Sequence, residues 1–186
     1  MLFLFRQFTK TTQHLALLDT LRAQLLTDPD PIVTHVTSTK LGTPSLRFIS
    51  GNTALPPTAD APPASQPIHN DADFDHPKIP FAFVINVPLV SMEPTNGSTE
   101  VWLGTHANTT IADQEGVHGE RASGMIKKEL LEKRRLVREP CQPVIKKGSV
   151  IVRDLRLWHG GKPNLSDEPR VMLAFSKSFL LTLKLP

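Results

Sequence analysis

The chain has 186 residues, 39% of them hydrophobic and 21% charged, with a formal net charge of +3. These values predict one globular domain with a sizeable core, and the mild charge argues against a nucleic-acid partner, which would require a clustered basic face. No apolar run approaches the ~20 residues of a membrane span. The single cysteine, Cys141, excludes an intrachain disulfide and favours a reducing compartment, the cytoplasm. We expect its side chain to be buried or half-buried.

The N-terminal third is predicted to contain one helix, two strands and a long loop. Residues 15–26 carry leucines spaced mostly three to four apart, which predicts an amphipathic helix packed against a sheet. Two Asp-Pro pairs that begin at residue 28 end this helix, because proline cannot continue it. Residues 32–39 and 45–49 are predicted strands. The proline-rich residues 53–67 are predicted to form a surface loop beside the mouth of a site.

A His-x-Asp tripeptide, His69-Asn70-Asp71, follows this loop and precedes an apolar run. Alone it is a weak signal, since a chance match is roughly a one-in-three event in a chain with this many histidines. The plain alternative is a loop histidine followed by a turn aspartate. His118-Gly119-Glu120 is a decoy of the related His-x-Glu form.

A second stretch far along the chain strengthens the first. His159 follows a predicted strand at residues 150–152, and Arg170 comes eleven residues later. Two histidines and one carboxylate form the facial triad that holds non-haem Fe(II) and leaves positions open for other ligands. An arginine offers a planar fork for a distant carboxylate. The alternative for Arg170 is an ion pair with Asp167 or Glu168.

Residues 81–87 are nearly all apolar and predict a strand that is buried on both faces. Asn86 is the one polar side chain in it, and a buried amide requires partners, which would be a co-substrate carboxylate or the backbone. Asn96-Gly97 predicts a turn into a strand at residues 98–103. His106, at the end of that strand, is interpreted as structural, because a fourth protein ligand would block a position that oxygen or a co-substrate needs.

Residues 121–138 predict a basic helix whose charges form a solvated face; contact with an anionic substrate is the less favoured alternative. The Gly160-Gly161 pair after the distal histidine is predicted to let the backbone pass close to iron or co-substrate.

Two stretches resemble a known family: residues 96–106, NGSTEVWLGTH, and residues 154–164, DLRLWHGGKPN. Together with the His-x-Asp tripeptide they are similar to the phytanoyl-CoA dioxygenase-like branch of the Fe(II)/2-oxoglutarate oxygenases, in particular its fungal-type members. The resemblance covers roughly residues 66–175. It implies a mainly β fold with a few flanking helices, a double-stranded β-helix of the cupin jelly-roll type.

The resemblance also implies the site. Fe(II) would be held by His69, Asp71 and His159, with no catalytic side chain beyond these ligands. 2-Oxoglutarate and O2 would be co-substrates, and Arg170 would bind the far carboxylate of 2-oxoglutarate. Asn86 falls, more loosely, where the family has a side chain near the co-substrate.

The sequence therefore predicts a single oxygenase-like domain over residues 1–186, shortened at both ends relative to the family. It would hydroxylate or desaturate a small hydrophobic molecule of specialised metabolism. The expected partners are this substrate, no nucleic acid, no membrane, and a second identical or different chain in a dimer. The alternative function is a non-catalytic jelly-roll subunit of a full-length oxygenase. A nucleic-acid demethylase ranks last, because the chain has no Tyr and 6% aromatic residues for base stacking.

Overall fold

The computed structural model describes residues 44–76, 80–116 and 124–179. The helix predicted at residues 15–26, the strand predicted at 32–39, the decoy His118 and the chain after residue 179 lie outside these ranges. The described part is mainly β with one α-helix, α1. Its strands are β1 (Pro44–Ala54), β2 (Ala82–Pro88), β3 (Thr99–Val101), β4 (Ile151–Asp154), β5 (His159–Gly161) and β6 (Arg170–Phe179).

Two antiparallel layers make up the fold. The larger layer is a four-stranded sheet in the order β1-β6-β2-β4. The smaller layer is built on the β3–β5 pair. Isolated bridges extend it on both sides: His69 pairs with His159 and with Met125, and Val101 pairs with Cys141. The predicted mainly β, jelly-roll architecture is confirmed, and the segment that carries His69 belongs to the smaller layer.

Alternation along the strands gives the larger sheet two different faces. On the outer face Ile85, Leu173 and Phe175 are buried together as an apolar cluster. The opposite, inner face is partly polar. The strand register pairs Val84 with Arg153 and Asn86 with Ala174, and Arg170 lies four residues before Ala174 on the same face. We call this set of side chains the inner face.

Helix α1 (Lys128–Val137) is shorter than the helix predicted at residues 121–138. The prediction was wrong at Met125 and Ile126, which are extended: Ile126 N–H donates to the Ile68 carbonyl, and Asn70 N–H donates to the Gly124 carbonyl. Gly124 has a φ of 85°, which takes the chain out of helical geometry just before this pairing. The apolar periodicity was therefore produced partly by a strand-like segment beside His69.

The strands predicted within the described residues are present as β1, β2, β3 and β4, with bounds shifted by one to a few residues, and β1 runs on to Ala54. The expectation for Cys141 was wrong, because its side chain is exposed at the edge of the smaller layer. Among the described residues no helix has the length and apolar character needed to cross a membrane.

Candidate active site

The structure brings His69, Asp71 and His159 together. Nε2 of each histidine lies 3.8 Å from Asp71 Oδ1, and the ligand atoms of all three residues lie within 4.8 Å of one another. Bonds of about 2.0–2.2 Å to one ion would bring neighbouring ligand atoms to about 3 Å apart, so the set would contract slightly on binding. No second cluster of this kind occurs in the ranges that the structure describes.

Both imidazole rings are oriented by backbone carbonyls two residues earlier in the chain. His69 Nδ1 lies 2.8 Å from the Pro67 oxygen, and His159 Nδ1 lies 2.9 Å from the Leu157 oxygen. Because a carbonyl only accepts hydrogen bonds, each Nδ1 must carry the proton and donate it. The Nε2 lone pair of each ring is then free and faces Asp71, which is the tautomer that a metal ligand requires.

Asn70, between two of the proposed ligands, fixes the backbone that presents them. Its side chain is directed away from the triad and is almost fully buried. Its Oδ1 accepts hydrogen bonds from Ala72 N–H at 3.1 Å and from Gln114 Nε2 at 3.0 Å, and its Nδ2 donates to Thr109 Oγ1 at 3.4 Å. His69 and Asp71 therefore project to the same side from an anchored turn.

The glycine pair after His159 lies against residues 66–68, and its predicted approach to iron or co-substrate stays a prediction. A Cβ on Gly160 would lie 2.9 Å from Ile68 Cδ1 and 3.1 Å from the Gln66 carbonyl oxygen. A Cβ on Gly161 would lie 2.8 Å from Gln66 Oε1. The glycines thus let the segment that carries His69 pack against β5, and this packing brings the two histidine rings to a centroid distance of 4.3 Å.

Asp71 has a cationic partner that the sequence did not indicate. Arg153 Nη2 donates to Asp71 Oδ2 at 2.6 Å, and Arg153 Nε donates to Asn86 Oδ1 at 3.3 Å. Asn86 is therefore buried with a side-chain partner, Arg153, and its contact with a co-substrate stays a prediction. Arg153 is a charged residue that follows the apolar residues of β4, and this was the sequence signal that could have pointed to it.

The electrostatics of the triad favour the ionisation states that a metal requires. Burial would raise the pKa of Asp71, but the Arg153 charge, His159 and His69 outweigh it and hold this pKa well below its usual range. Burial, together with the Arg153 charge and His69, lowers the pKa of His159 well below its ordinary value. At neutral pH Asp71 is therefore ionised and His159 is neutral.

Arg170 lies on the inner face but contacts no triad residue. Its side chain is 2% exposed, its Nη1 donates to Asn52 Oδ1 at 2.8 Å, and its Nη2 donates to the Gly97 carbonyl at 2.6 Å. Its Nε is buried without a hydrogen-bond partner. Burial lowers the pKa of Arg170 to about 10, so the guanidinium stays charged at neutral pH.

The alternative pairing of Arg170 with Asp167 or Glu168 is not seen. Both acids are exposed, and no ion pair between described residues includes Arg170. A buried charge with only neutral acceptors is costly, which makes this position suited to an anion. His106, interpreted as structural, lies in a 3-10 turn outside the triad.

A cleft of about 280 Å³ begins beside Arg153. Arg153, which contacts Asp71, is one of its lining residues, and none of the three triad residues lines it. Most of its lining is apolar: Pro80, Phe83, Leu103, Val152 and Leu157.

Two imidazoles and one carboxylate that converge on a point are the donor set that non-haem Fe(II) enzymes use, and here they lie in a jelly roll with a buried arginine along the same wall. The family model "Phytanoyl-CoA dioxygenase (PhyH)" matches residues 2–172, and the chain belongs to this family. The match begins well before residue 66, where the resemblance read from the motifs begins.

Solved structures share the fold. EctD from S. alaskensis, solved with 2-oxoglutarate and 5-hydroxyectoine, is 20% identical, with a TM-score of 0.66, over 83% of this chain and 51% of its own. The epimerase SnoN, solved with Fe3+, alpha ketoglutarate and nogalamycin RO, is 19% identical, with a TM-score of 0.66, over 87% and 59%. EvdO2 from Micromonospora carbonacea var. aurantiaca, complexed with 2-oxoglutarate, is 16% identical, with a TM-score of 0.63, over 85% and 64%. The chain thus spans less than two thirds of each of these proteins.

Proposed function

We propose that this protein is an Fe(II)/2-oxoglutarate-dependent dioxygenase whose metal is held by His69, Asp71 and His159. The convergence of two Nε2 atoms and one free carboxylate oxygen carries this proposal. The bound iron and 2-oxoglutarate would supply the activation of O2. The chain's own part is to present deprotonated ligands on one side and to leave the other side of the ion open.

Arg170 is the proposed partner of the far carboxylate of 2-oxoglutarate. Its guanidinium is charged, buried and without an acid partner among the described residues, and it lies on the same inner face as Asn86 and Arg153. An arginine–carboxylate contact is charge-assisted and can be bidentate. Three solved relatives carry 2-oxoglutarate or alpha ketoglutarate, which supports the same co-substrate here. Asn86 would act near the co-substrate through its contact with Arg153.

The proposed substrate is a small, largely apolar organic molecule that enters the cleft beside Arg153. The apolar lining and the volume of about 280 Å³ support this class. The reaction is a hydroxylation or desaturation; the relative SnoN is an epimerase, so stereochemical inversion is a further outcome to assay. We place the protein in the cytoplasm, where its free, exposed Cys141 would stay reduced.

Anaerobic reconstitution tests the proposal. The purified protein is loaded with Fe(II), its metal content is measured, and succinate formation from 2-oxoglutarate is followed after O2 is admitted. One iron per chain and metal-dependent succinate formation are expected. A protein that binds no iron, or that binds iron and leaves 2-oxoglutarate untouched, would instead support the alternative of a non-catalytic jelly-roll subunit.

A further inference from the structure

Arg153 is the residue through which the triad is joined to the larger sheet. Its side chain is 11% exposed and lies on β4, and it contacts Asp71 from the smaller layer and Asn86 from β2. Its Nη1 is buried without a hydrogen-bond partner. The proposed metal ligation leaves this side chain without a role.

The contact of Arg153 with Asp71 involves one carboxylate oxygen only. Oδ2 accepts the Arg153 Nη2 hydrogen bond at 2.6 Å, whereas Oδ1 lies 3.8 Å from both histidine Nε2 atoms. A second arginine provides an internal contrast. Arg156 donates through Nε and Nη2 to the two oxygens of Asp154, at 2.9 Å and 2.8 Å, and so occupies that carboxylate completely.

The number of oxygens that Asp71 gives to the ion matters for the proposed chemistry. A carboxylate that binds through both oxygens takes up an additional coordination position. A chelating 2-oxo acid and O2 both need open positions beside the three protein ligands. Single-oxygen ligation therefore keeps a position open, and it requires that the second oxygen be held elsewhere.

The geometry points to Arg153 as a positioning residue that holds Asp71 Oδ2 and so restricts Asp71 to binding the metal through Oδ1. This inference rests on the proposed function. Asn86 fixes the guanidinium by accepting from Nε, so that Nη2 is aimed at Asp71. The two contacts need a planar fork with separate donors, which arginine has and lysine lacks.

Arg153→Met and Arg153→Lys test the inference, with Arg135→Met as a matched control. Arg135, on α1, also forms an ion pair, with Glu139 at 3.4 Å, and its guanidinium lies over the Trp102 ring; it forms no ion pair with Asp71. The measurements are the Kd for Co(II) by titration and the visible absorption spectrum of the Co(II) protein, which reports coordination number. Neither measurement depends on turnover.

We expect Arg153→Met to weaken Co(II) binding about 10- to 100-fold, the usual effect of removing a partner of a metal ligand. We expect its spectrum to shift towards higher coordination, as Asp71 binds through both oxygens. Arg153→Lys should bind more tightly than Arg153→Met and still show a spectrum different from wild type, because an ammonium group cannot make both contacts in the same geometry. Arg135→Met should match wild type in both measurements.

Co(II) binding within threefold of wild type and an unchanged spectrum in Arg153→Met would overturn the inference. If Arg153→Met does not fold, Arg153→Lys decides: wild-type affinity together with a wild-type spectrum overturns it, since the fork would then be unnecessary. If the wild-type protein binds neither Co(II) nor Fe(II), the proposed function itself is wrong. This outcome differs from the two outcomes above, in which the wild-type protein binds metal and only the inference about Arg153 is overturned.

Discussion

Two arginines on the inner face, the half-buried Arg153 and the buried Arg170, have opposite kinds of partner. Arg153 contacts a carboxylate of this chain, Asp71, and an amide oxygen, that of Asn86. Arg170 contacts an amide oxygen, that of Asn52, and a backbone carbonyl, that of Gly97. The charge of Arg153 is thus balanced within the protein, whereas none of the described residues offers a carboxylate to Arg170.

The difference separates an internal role from an external one. A buried guanidinium that is paired with an acid is part of the architecture, and here it orients a proposed iron ligand. A buried guanidinium with only neutral acceptors retains most of its desolvation cost, which a bound anion would offset. Under the proposed function, the same residue type on the same wall would serve the metal in one place and the co-substrate in the other.

The largest expected effect comes from removing a ligand at the metal end. His159→Ala should lower metal affinity at least about 100-fold, because it deletes a donor and leaves Asp71 and His69 alone. Metal content after gel filtration measures this loss. His106→Ala is the control, since that histidine lies outside the triad, and it should retain wild-type metal content. The reverse pattern would show that the ligand assignment is wrong.

At the other position, Arg170→Leu should abolish coupled turnover while metal content stays near wild type. Arg170→Lys should keep the metal and raise the 2-oxoglutarate requirement at least about tenfold, or about 1.4 kcal/mol, because one ammonium group replaces a two-donor fork. The concentration dependence of succinate formation measures Arg170→Lys, and equilibrium binding of 2-oxoglutarate to the metal-loaded protein measures Arg170→Leu. Unchanged 2-oxoglutarate affinity in Arg170→Leu would mean that Arg170 does not bind the co-substrate. The proposed difference in role between Arg153 and Arg170 would then be wrong.

Gly160→Ala should displace the segment that carries His69, and so affect metal binding more than 2-oxoglutarate binding. The added Cβ would meet Ile68 Cδ1 at 2.9 Å and two backbone oxygens at 3.1 and 3.2 Å. We expect a loss of about 1–3 kcal/mol in the free energy of unfolding and weaker metal binding, with 2-oxoglutarate affinity of the metal-loaded protein less affected. Chemical denaturation and metal titration measure these effects.

Gly148→Asn is the control for this substitution. Gly148 is exposed, no atom lies within 4 Å of an added Cβ, and asparagine tolerates its positive φ of 76°. Wild-type metal affinity is expected in this variant. Equal metal affinity in Gly160→Ala and Gly148→Asn would contradict the account of strand packing.

The smallest expected effect is a pH dependence of the metal-free protein. The pKa of His159 is depressed in the folded state, so below pH ~6.5 the unfolded chain binds a proton that the folded protein does not. Stability should therefore fall as the pH falls below this value, by at most about 1.4 kcal/mol per pH unit from this group. Urea denaturation at several pH values measures it. In His159→Gln the unfolding free energy should change less steeply with pH between roughly pH 5 and 6.5. A slope equal to that of wild type would show that a group other than His159 takes up the proton.

The triad was predictable from the sequence because residue types and their order along the chain are enough to indicate a set of metal ligands. His69 and Asp71 are two apart on one strand-like segment, and a distant histidine follows a strand. The apolar runs likewise predicted β2, β4 and the strand at β1. These signals are local, so they can be read from the sequence without knowing how the strands pair.

The features that were missed depend on pairing between distant segments. Arg153 reaches Asp71 and Asn86 only because the β2–β4 register sets Val84 opposite Arg153. Met125 pairs with His69 although the sequence around it has a helical pattern. Residues 66–68 lie so close to residue 160 that a glycine is needed there. Register is fixed by the packing of the whole sheet, so one stretch of sequence does not reveal it.

A crystal structure of the protein with Mn(II) and 2-oxoglutarate, grown without O2, would show directly whether His69, Asp71 and His159 hold the metal and Arg170 the co-substrate. We expect an anomalous peak bonded to His69 Nε2, Asp71 Oδ1 and His159 Nε2, with Asp71 Oδ2 still on Arg153. We also expect the keto-acid end of 2-oxoglutarate on the metal and its far carboxylate on Arg170. A metal peak away from these three residues, or 2-oxoglutarate bound without contact to Arg170, would contradict it.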